Sequence, residues 1–107
     1  MTDRSTQVMA HRGASKAERE NTVAAFALAV AMGADSVELD VRRTRDGRLV
    51  VHHDAHLPAD ESMHGGGARP AIVDLDRSDL PAHVPDLVDA LDACAGIEVN
   101  LEIKNDP

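Results

Sequence analysis

The sequence has almost no aromatic side chains and almost no cysteine. Among 107 residues, Phe26 is the one aromatic residue and Cys94 the one cysteine. A single cysteine excludes an internal disulfide bond. The near absence of aromatic rings argues against proteins that stack nucleotide bases. The core must therefore be built from Val, Leu, Ile and Ala, and we expect Cys94 to be part of it.

Excess positive charge and long apolar runs are also missing. The chain has 19 Asp and Glu against 11 Lys and Arg, a formal net charge of -8. This balance disfavours nucleic acid as a partner and is compatible with a bound divalent cation. No apolar stretch approaches the ~20 residues that span a bilayer, and the first residues lack the apolar core of a signal peptide. We therefore expect one small cytoplasmic domain without stable membrane insertion.

Strand and helix patterns alternate along the chain. Thr22 or its neighbour Asn21 is placed to cap a helix that runs to about Met32. After a long loop with a short helical turn near residues 76–80, a second helix is predicted from Pro85, at its first turn, to Gly96. Four strands are predicted, at residues 7–10, 36–41, 49–54 and 97–104. This order favours an α/β fold with some parallel pairing.

Two of the predicted strands carry ionic residues on one face and apolar residues on the other. Because alternate side chains of a strand share a face, Glu38 and Asp40 lie on one side of the second strand, about 7 Å apart. Glu102 and Lys104 lie likewise on one face of the last strand. We expect the alternating apolar residues of both strands, and a stripe on the second helix, to be buried: Val37, Leu39, Val41, Val99, Leu101, Ile103, and Val84, Leu87, Val88, Leu91.

These ionic faces help to distinguish between two possible sheet architectures. An antiparallel sheet with one wet face explains a single ionic face equally well. It gives no reason for successive strands to end in His11, Asp40, His53 and Lys104. In a closed (β/α) barrel, the inward face near the carboxyl ends of the strands holds the chemistry. The pattern therefore favours a barrel of the TIM type.

Five short motifs together resemble the glycerophosphodiester phosphodiesterase family. They are His11-Arg12-Gly13, Glu20-Asn21-Thr22, Glu38-x-Asp40, His53-Asp54 and Leu101-Glu102-Ile103-Lys104. Each motif is weak alone, but their shared order and spacing form a specific signal. The resemblance runs from Val8 to Lys104. It implies a TIM barrel that hydrolyses glycerophosphodiesters to glycerol 3-phosphate and an alcohol, with a divalent metal and two histidines.

The resemblance also implies roles for individual residues. Glu38, Asp40 and Glu102 match the family's metal ligands, and their hard oxygens suit Mg²⁺ or Ca²⁺. His11 and His53 match the general acid/base pair, since an imidazole can take up and release protons near neutral pH. We expect in-line displacement at phosphorus.

The remaining charged residues of these motifs are expected to support the site. Arg12, with forked donors, and Lys104, as a point charge, are expected to hold the nonbridging phosphate oxygens. Glu20 and Asn21 are expected to orient the first loop or the ligands of the metal. Arg19 stands where the family usually has proline, and the Asp-x-x-x-x-Arg pattern after the His-Asp pair is absent.

The length departs from the family. A TIM barrel has eight strands and ~250 residues, so residues 1–107 correspond to the N-terminal half, with about four strands. Strands one and four would then have open edges. We expect either a fragment of a longer polypeptide or a homodimer in which two halves close one sheet. The alternative function is a noncatalytic remnant that binds metal or a phosphate-bearing ligand, or serves as an assembly partner.

Plainer explanations exist for single residues. Glu102 and Lys104 could form an exposed salt bridge of little worth. Zinc binding by His52, His56 and His64 lacks a regular ligand spacing. The segment His64-Gly65-Gly66-Gly67 resembles a lipase oxyanion loop, but the chain has no Gly-x-Ser-x-Gly motif, so a flexible loop is the better interpretation.

Overall fold

The structure is a computed structural model that describes residues 8–16, 18–58 and 69–104. Its strands are β1 (Met9–His11), β2 (Ser36–Arg43), β3 (Leu49–Val51) and β4 (Glu98–Ile103). Its α-helices are α1 (Val23–Ala31) and α2 (Leu87–Ala93), and two short 3-10 helices lie at Ile72–Asp74 and Arg77–Asp79. The predicted short turn near residues 76–80 is thus confirmed. The glycine run after His64 lies outside the described residues.

β2 is the centre of a four-stranded sheet. β1 and β4 both run parallel to β2. β4 pairs with most of the length of β2, from Ser36 opposite Glu98 to Val41 opposite Ile103. β3 is antiparallel and pairs with the last three residues of β2. The helices α1 and α2 lie on the connections that return the chain to a parallel strand, as parallel pairing requires. The predicted α/β class with parallel pairing is confirmed.

α1 follows its sequence signals closely. The Thr22 hydroxyl caps it by accepting a hydrogen bond from the backbone N–H of Ala25 at 3.2 Å. The helix ends at Ala31, Met32 is its C-cap, and Gly33 follows with φ of +83°. Ala25, Phe26 and Ala29 are buried, and Phe26 and Ala29 pack in one cluster with the apolar face of β2. Small side chains let this helix lie close to the sheet that carries the ionic residues.

The core has two parts. The apolar face of β2 packs against α1 and α2 in a cluster that includes Phe26, Val37, Leu39, Val41, Ala90 and Cys94. A second cluster lies under the loop between β3 and α2 and comprises Val50, Leu57, Ile72, Leu75, Leu80 and Val84. Cys94 is 1% exposed, so its predicted place in the core is confirmed.

The predicted apolar stripe of α2 is wrong in part. Val88 is 67% exposed and Leu91 is 37% exposed. The helix packs instead through Ala90 and Cys94 together with the half-buried Leu87. Positions i, i+3 and i+7 share one helix face, and the smaller residues on this face allow α2 to approach the sheet.

Two further expectations at this end of the fold also change. Asp86 is the N-cap of α2, so Pro85 precedes the cap instead of occupying the first turn. On β4, Val99 packs on the core, but Leu101 is 46% exposed and Ile103 is 73% exposed. No element of the described ranges covers the end of that apolar face. Within the same ranges, no helix has the length and apolar character needed to cross a membrane.

Candidate active site

Three carboxylates from two neighbouring strands meet on the polar face of the sheet. Glu38 and Asp40 lie on β2, and Glu102 lies on β4 directly opposite Asp40. One oxygen of each lies within 4.8 Å of the others. Parallel pairing in this register places side chains of matching residues side by side. The structure therefore brings together the three residues that the sequence selected as metal ligands.

Glu38 is a buried carboxylate without a hydrogen-bond donor. It is 8% exposed, and neither of its carboxyl oxygens accepts a hydrogen bond from the described residues. The His11 imidazole lies close to it, with Nε2 3.3 Å from Oε1, but this contact lacks hydrogen-bond alignment. Burial, followed by the negative charge of Asp40, raises the pKa of Glu38. A buried anionic oxygen without a donor is costly, and a bound cation would remove that cost.

Asp40 is surrounded by donors. Its side chain is 1% exposed, and its Oδ2 accepts a hydrogen bond of 2.9 Å from Asn21 Nδ2. Arg12 Nε lies 3.4 Å from the same oxygen, and Lys104 Nζ lies 3.6 Å from Oδ1. Burial raises the pKa of Asp40, but the Asn21 hydrogen bond and the nearby charges, including Lys104 and Arg12, outweigh it and the net pKa is lowered. Asp40 is therefore the more acidic member of the buried pair.

Glu102 forms the open side of the cluster. Its side chain is 57% exposed and accepts a hydrogen bond of 2.9 Å from Lys104 Nζ. This hydrogen bond lowers the pKa of Glu102. Lys104 thus lies between Glu102 and Asp40. Its exposed ion pair with Glu102 alone would contribute little stability. The cluster is closed on the side of β2 and open to solvent at β4.

Both candidate catalytic histidines lie near this cluster. His11 ends β1 and faces Glu38. His53 follows β3, and its Nδ1 lies 2.7 Å from Oδ1 of Asp54. The Arg42 guanidinium donates a hydrogen bond to the carbonyl oxygen of His53 and so ties this segment to β2. The hydrogen bond with His53 lowers the pKa of Asp54. An imidazole held at Nδ1 by a carboxylate leaves Nε2 available for proton transfer.

The loop after β1 is held tightly in place. The Arg12 guanidinium contacts the Glu20 carboxylate at 3.2 and 3.3 Å. Gly13 packs directly on α1, where an added Cβ atom would lie 2.8 Å from Ala25. The structure therefore brings Arg12 and Asn21 to Asp40, and Glu20 to Arg12.

A cleft of about 330 Å³ lies beside His53. Three of the site residues predicted from the sequence line this cleft: Glu20, Asn21 and His53. His83 also lines it and was missed, because the loop from residue 55 to residue 83 has no periodic pattern that would place it. The described ranges contain no histidine cluster that could bind zinc, because their only group of three or more potential metal ligands is the carboxylate cluster. His64 lies outside those ranges.

Comparison with known proteins identifies the family. Residues 11–107 match the glycerophosphoryl diester phosphodiesterase family. This chain belongs to that family. The family prediction made from five short motifs is therefore confirmed, and relatives that the chain matches are named as phosphodiesterases.

Individual relatives show how much of a family member the chain represents. It is 35% identical to a glycerophosphodiester phosphodiesterase of Bacillus altitudinis, in an alignment that covers 94% of this chain and 46% of the relative. It also matches the crystal structure of the Thermotoga maritima glycerophosphodiester phosphodiesterase, with 32% identity and a TM-score of 0.81 over 96% of this chain and 46% of that one. The chain therefore spans less than half the length of these relatives.

A third relative was solved with a reaction product. The Oleispira antarctica phosphodiesterase, in complex with sn-glycerol-3-phosphate, is 30% identical with a TM-score of 0.80, over 92% of this chain and 44% of that one. Together these structures confirm the predicted fold class, the first half of a TIM-type barrel. Three of the four strands are the parallel ones, while β3 forms an antiparallel addition at the end of β2.

Proposed function

We propose that residues 1–107 are the N-terminal half of a barrel that hydrolyses glycerophosphodiesters to glycerol 3-phosphate and an alcohol, and that this half carries the metal ligands and the acid/base histidines. The observation that carries the proposal is the pair of buried Glu38 oxygens without donors, beside Asp40 and Glu102. The product bound by the Oleispira antarctica relative supports the substrate class.

Glu38, Asp40 and Glu102 fit a hard divalent cation, Mg²⁺ or Ca²⁺. All three offer carboxylate oxygens, the donors that both ions prefer. The partly open position of Glu102 gives an ion and a substrate access from solvent. When bound, the ion supplies positive charge that stabilises the phosphoryl oxygens as negative charge develops on them.

The two histidines would move the protons of an in-line displacement. One imidazole accepts the proton of the attacking oxygen, and the other donates a proton to the leaving alkoxide. The contact of His53 with Asp54 orients its ring for such a role. Arg12 and Lys104 would bind the nonbridging oxygens, since both place cationic groups beside Asp40.

An assay with glycerophosphocholine tests this function. We expect release of glycerol 3-phosphate that requires Mg²⁺ or Ca²⁺ and stops with chelator. His53→Ala would lower the rate by about 10²- to 10⁴-fold, the usual contribution of an acid/base group. His56→Ala is the matched control, because His56 pairs through its backbone with Ala71 outside the carboxylate cluster, and its rate should stay near that of the parent chain.

Two outcomes of that assay would count against the enzymatic role. They are activity that survives His53→Ala and activity that survives chelator. A chain that binds Mg²⁺ without hydrolysing substrate would support the alternative, a noncatalytic metal-binding remnant.

We further propose that additional barrel strands cover the two open edges of the sheet, supplied by a longer polypeptide or by a second copy of this chain. In the described ranges, β1 and β4 each pair with β2 alone. Exposed apolar side chains lie at both edges, with Met9 at 54% and Ile103 at 73%. Open strand edges with apolar neighbours favour association.

Sedimentation velocity of the 107-residue chain tests this second proposal. We expect dimers or larger species at micromolar concentration, because the exposed edges and apolar side chains gain partners on association. A compact and stable monomer at that concentration would contradict the expectation. The cytoplasmic location stays a prediction from the sequence.

A further inference from the structure

Two residues beside the carboxylate cluster have left-handed backbone conformations. Arg12 has φ of 58° and Asn21 has φ of 54°, and they are the only residues other than glycine with positive φ in the described ranges. Asn tolerates this conformation better than most residues, whereas Arg seldom adopts it. Such strain persists where the surroundings enforce it and is concentrated at functional sites.

The backbones of these two residues are fastened to each other and to β2. The N–H of Asn21 donates to the carbonyl oxygen of Arg12 at 2.9 Å. The N–H of Arg12 donates to the carbonyl oxygen of Glu38 at 2.8 Å. The strained pair is therefore anchored at the backbone of a candidate metal ligand.

Their side chains converge on a single oxygen atom. Asn21 Nδ2 donates to Oδ2 of Asp40 at 2.9 Å, and Arg12 Nε lies 3.4 Å from the same atom. Asn21 is 3% exposed and Asp40 is 1% exposed, so solvent does not compete for these contacts. The second oxygen, Oδ1, lies on the side of Lys104, whose Nζ is 3.6 Å away.

We propose that Asn21, supported by Arg12, is a positioning residue that fixes the rotation of the Asp40 carboxylate and leaves Oδ1 to face the divalent cation. This inference rests on the proposed metal site. A donor on Oδ2 prevents the carboxylate from rotating, and a neutral amide does so without cancelling the negative charge that attracts the ion. Groups that orient metal ligands in this way typically change metal affinity by about 10- to 100-fold when removed.

A purely structural explanation competes with this role. Asn is a common choice at φ near +55°, so Asn21 could serve only to make the turn before α1. Glycine separates the two explanations, because it adopts the same backbone freely and lacks the amide. Asn21→Gly therefore keeps the turn and removes the contact with Asp40.

Isothermal titration of the whole chain with Mg²⁺, and separately with Ca²⁺, tests the proposal. We expect Asn21→Gly to raise Kd by about 10-fold or more. Thr22→Ala is the matched control, since Thr22 caps α1 and has no contact with Asp40 among those described. Its melting temperature should fall while its Kd stays that of the parent chain.

Each outcome of the titration is informative. Tight binding by Asn21→Gly would overturn the positioning role and leave the proposed metal site intact. Absence of binding by the parent chain would overturn both. If Asn21→Gly does not fold, Asn21→Asp provides the second test, because Asp has a similar shape and accepts a left-handed backbone but has no N–H to donate. It should also bind Mg²⁺ more weakly, and unchanged or tighter binding would contradict the proposal.

Discussion

Glu38→Gln is expected to make the metal-free chain more stable and, at the same time, to remove most of its affinity for a divalent cation. In the parent chain, the Glu38 carboxylate is buried beside Asp40 and has no hydrogen-bond donor among the described residues. Gln has nearly the same shape, carries no charge, and can donate its N–H groups toward Asp40. We expect the free energy of unfolding to rise by about 1 kcal/mol, at the lower end of the cost of an unsatisfied buried polar group.

The pH dependence of stability provides an independent test of the same prediction. Because the pKa of Glu38 is raised above 4.5 in the folded state, the folded chain binds this proton more tightly than the unfolded chain. Between the unfolded and folded pKa values, the free energy of unfolding therefore falls as pH rises. Ionisation of Glu38 therefore lowers the stability of the folded chain. Glu38→Gln removes this contribution, so the gain should be largest at pH values above the folded pKa of Glu38 and should diminish as pH falls toward 4.5.

Urea unfolding in the presence of chelator, followed by the same measurement with Mg²⁺, tests both parts. A ligand that binds only the folded state stabilises it in proportion to the logarithm of its concentration over Kd. Mg²⁺ should therefore stabilise the parent chain and leave Glu38→Gln almost unchanged. Glu98→Gln is the matched control, because Glu98 is an exposed glutamate of β4 outside the cluster. Equal Mg²⁺ stabilisation of parent and Glu38→Gln would show that Glu38 is not a ligand.

Local signals predicted the features that depend on the chain nearby. The cap at Thr22 and the glycine after Met32 indicated the limits of α1. The two-residue period of a strand placed Glu38 and Asp40 on one face. Their meeting with Glu102 depends on the pairing of β2 with β4, strands that lie far apart in the sequence. It followed only from the assumption of parallel barrel strands and the family resemblance.

Features that depend on distant packing were not predictable from the sequence. The buried face of α2 was predicted wrongly. The prediction followed the larger apolar residues Val88 and Leu91, whereas the smaller Ala90 and Cys94 pack against the sheet. The loop before α2 has no period, and ion pairs with distant residues hold it. Arg45 binds Asp76 through two hydrogen bonds of 3.0 Å. Such pairs leave no local pattern in the sequence.

Gly13→Ala is expected to destabilise the fold severely. Gly13 has φ of +79°, and an added Cβ atom would lie 2.8 Å from both the carbonyl carbon and the Cβ of Ala25. The loop cannot easily move aside, since the N–H of Ala14 donates to the carbonyl oxygen of Ala25 at 2.9 Å. Left-handed backbone costs a non-glycine residue about 1–2 kcal/mol, and overpacking adds about 1–3 kcal/mol. We expect a total loss of about 3 kcal/mol, a large part of the stability of a small domain.

Gly47→Ala separates the collision from the backbone strain. Gly47 has φ of +82°, nearly the value at Gly13, but a Cβ atom added there would have nothing within 4 Å. This variant should lose only the backbone strain of about 1–2 kcal/mol, so urea unfolding of the two variants measures the cost of contact with α1. Gly13 directly follows His11, the last residue of β1, and Arg12, so Gly13→Ala should weaken Mg²⁺ binding while Gly47→Ala leaves it unchanged. Equal losses of stability in the two variants would mean that the loop can move away from α1. The fold would then not require the close packing that places His11 and Arg12 at the carboxylates.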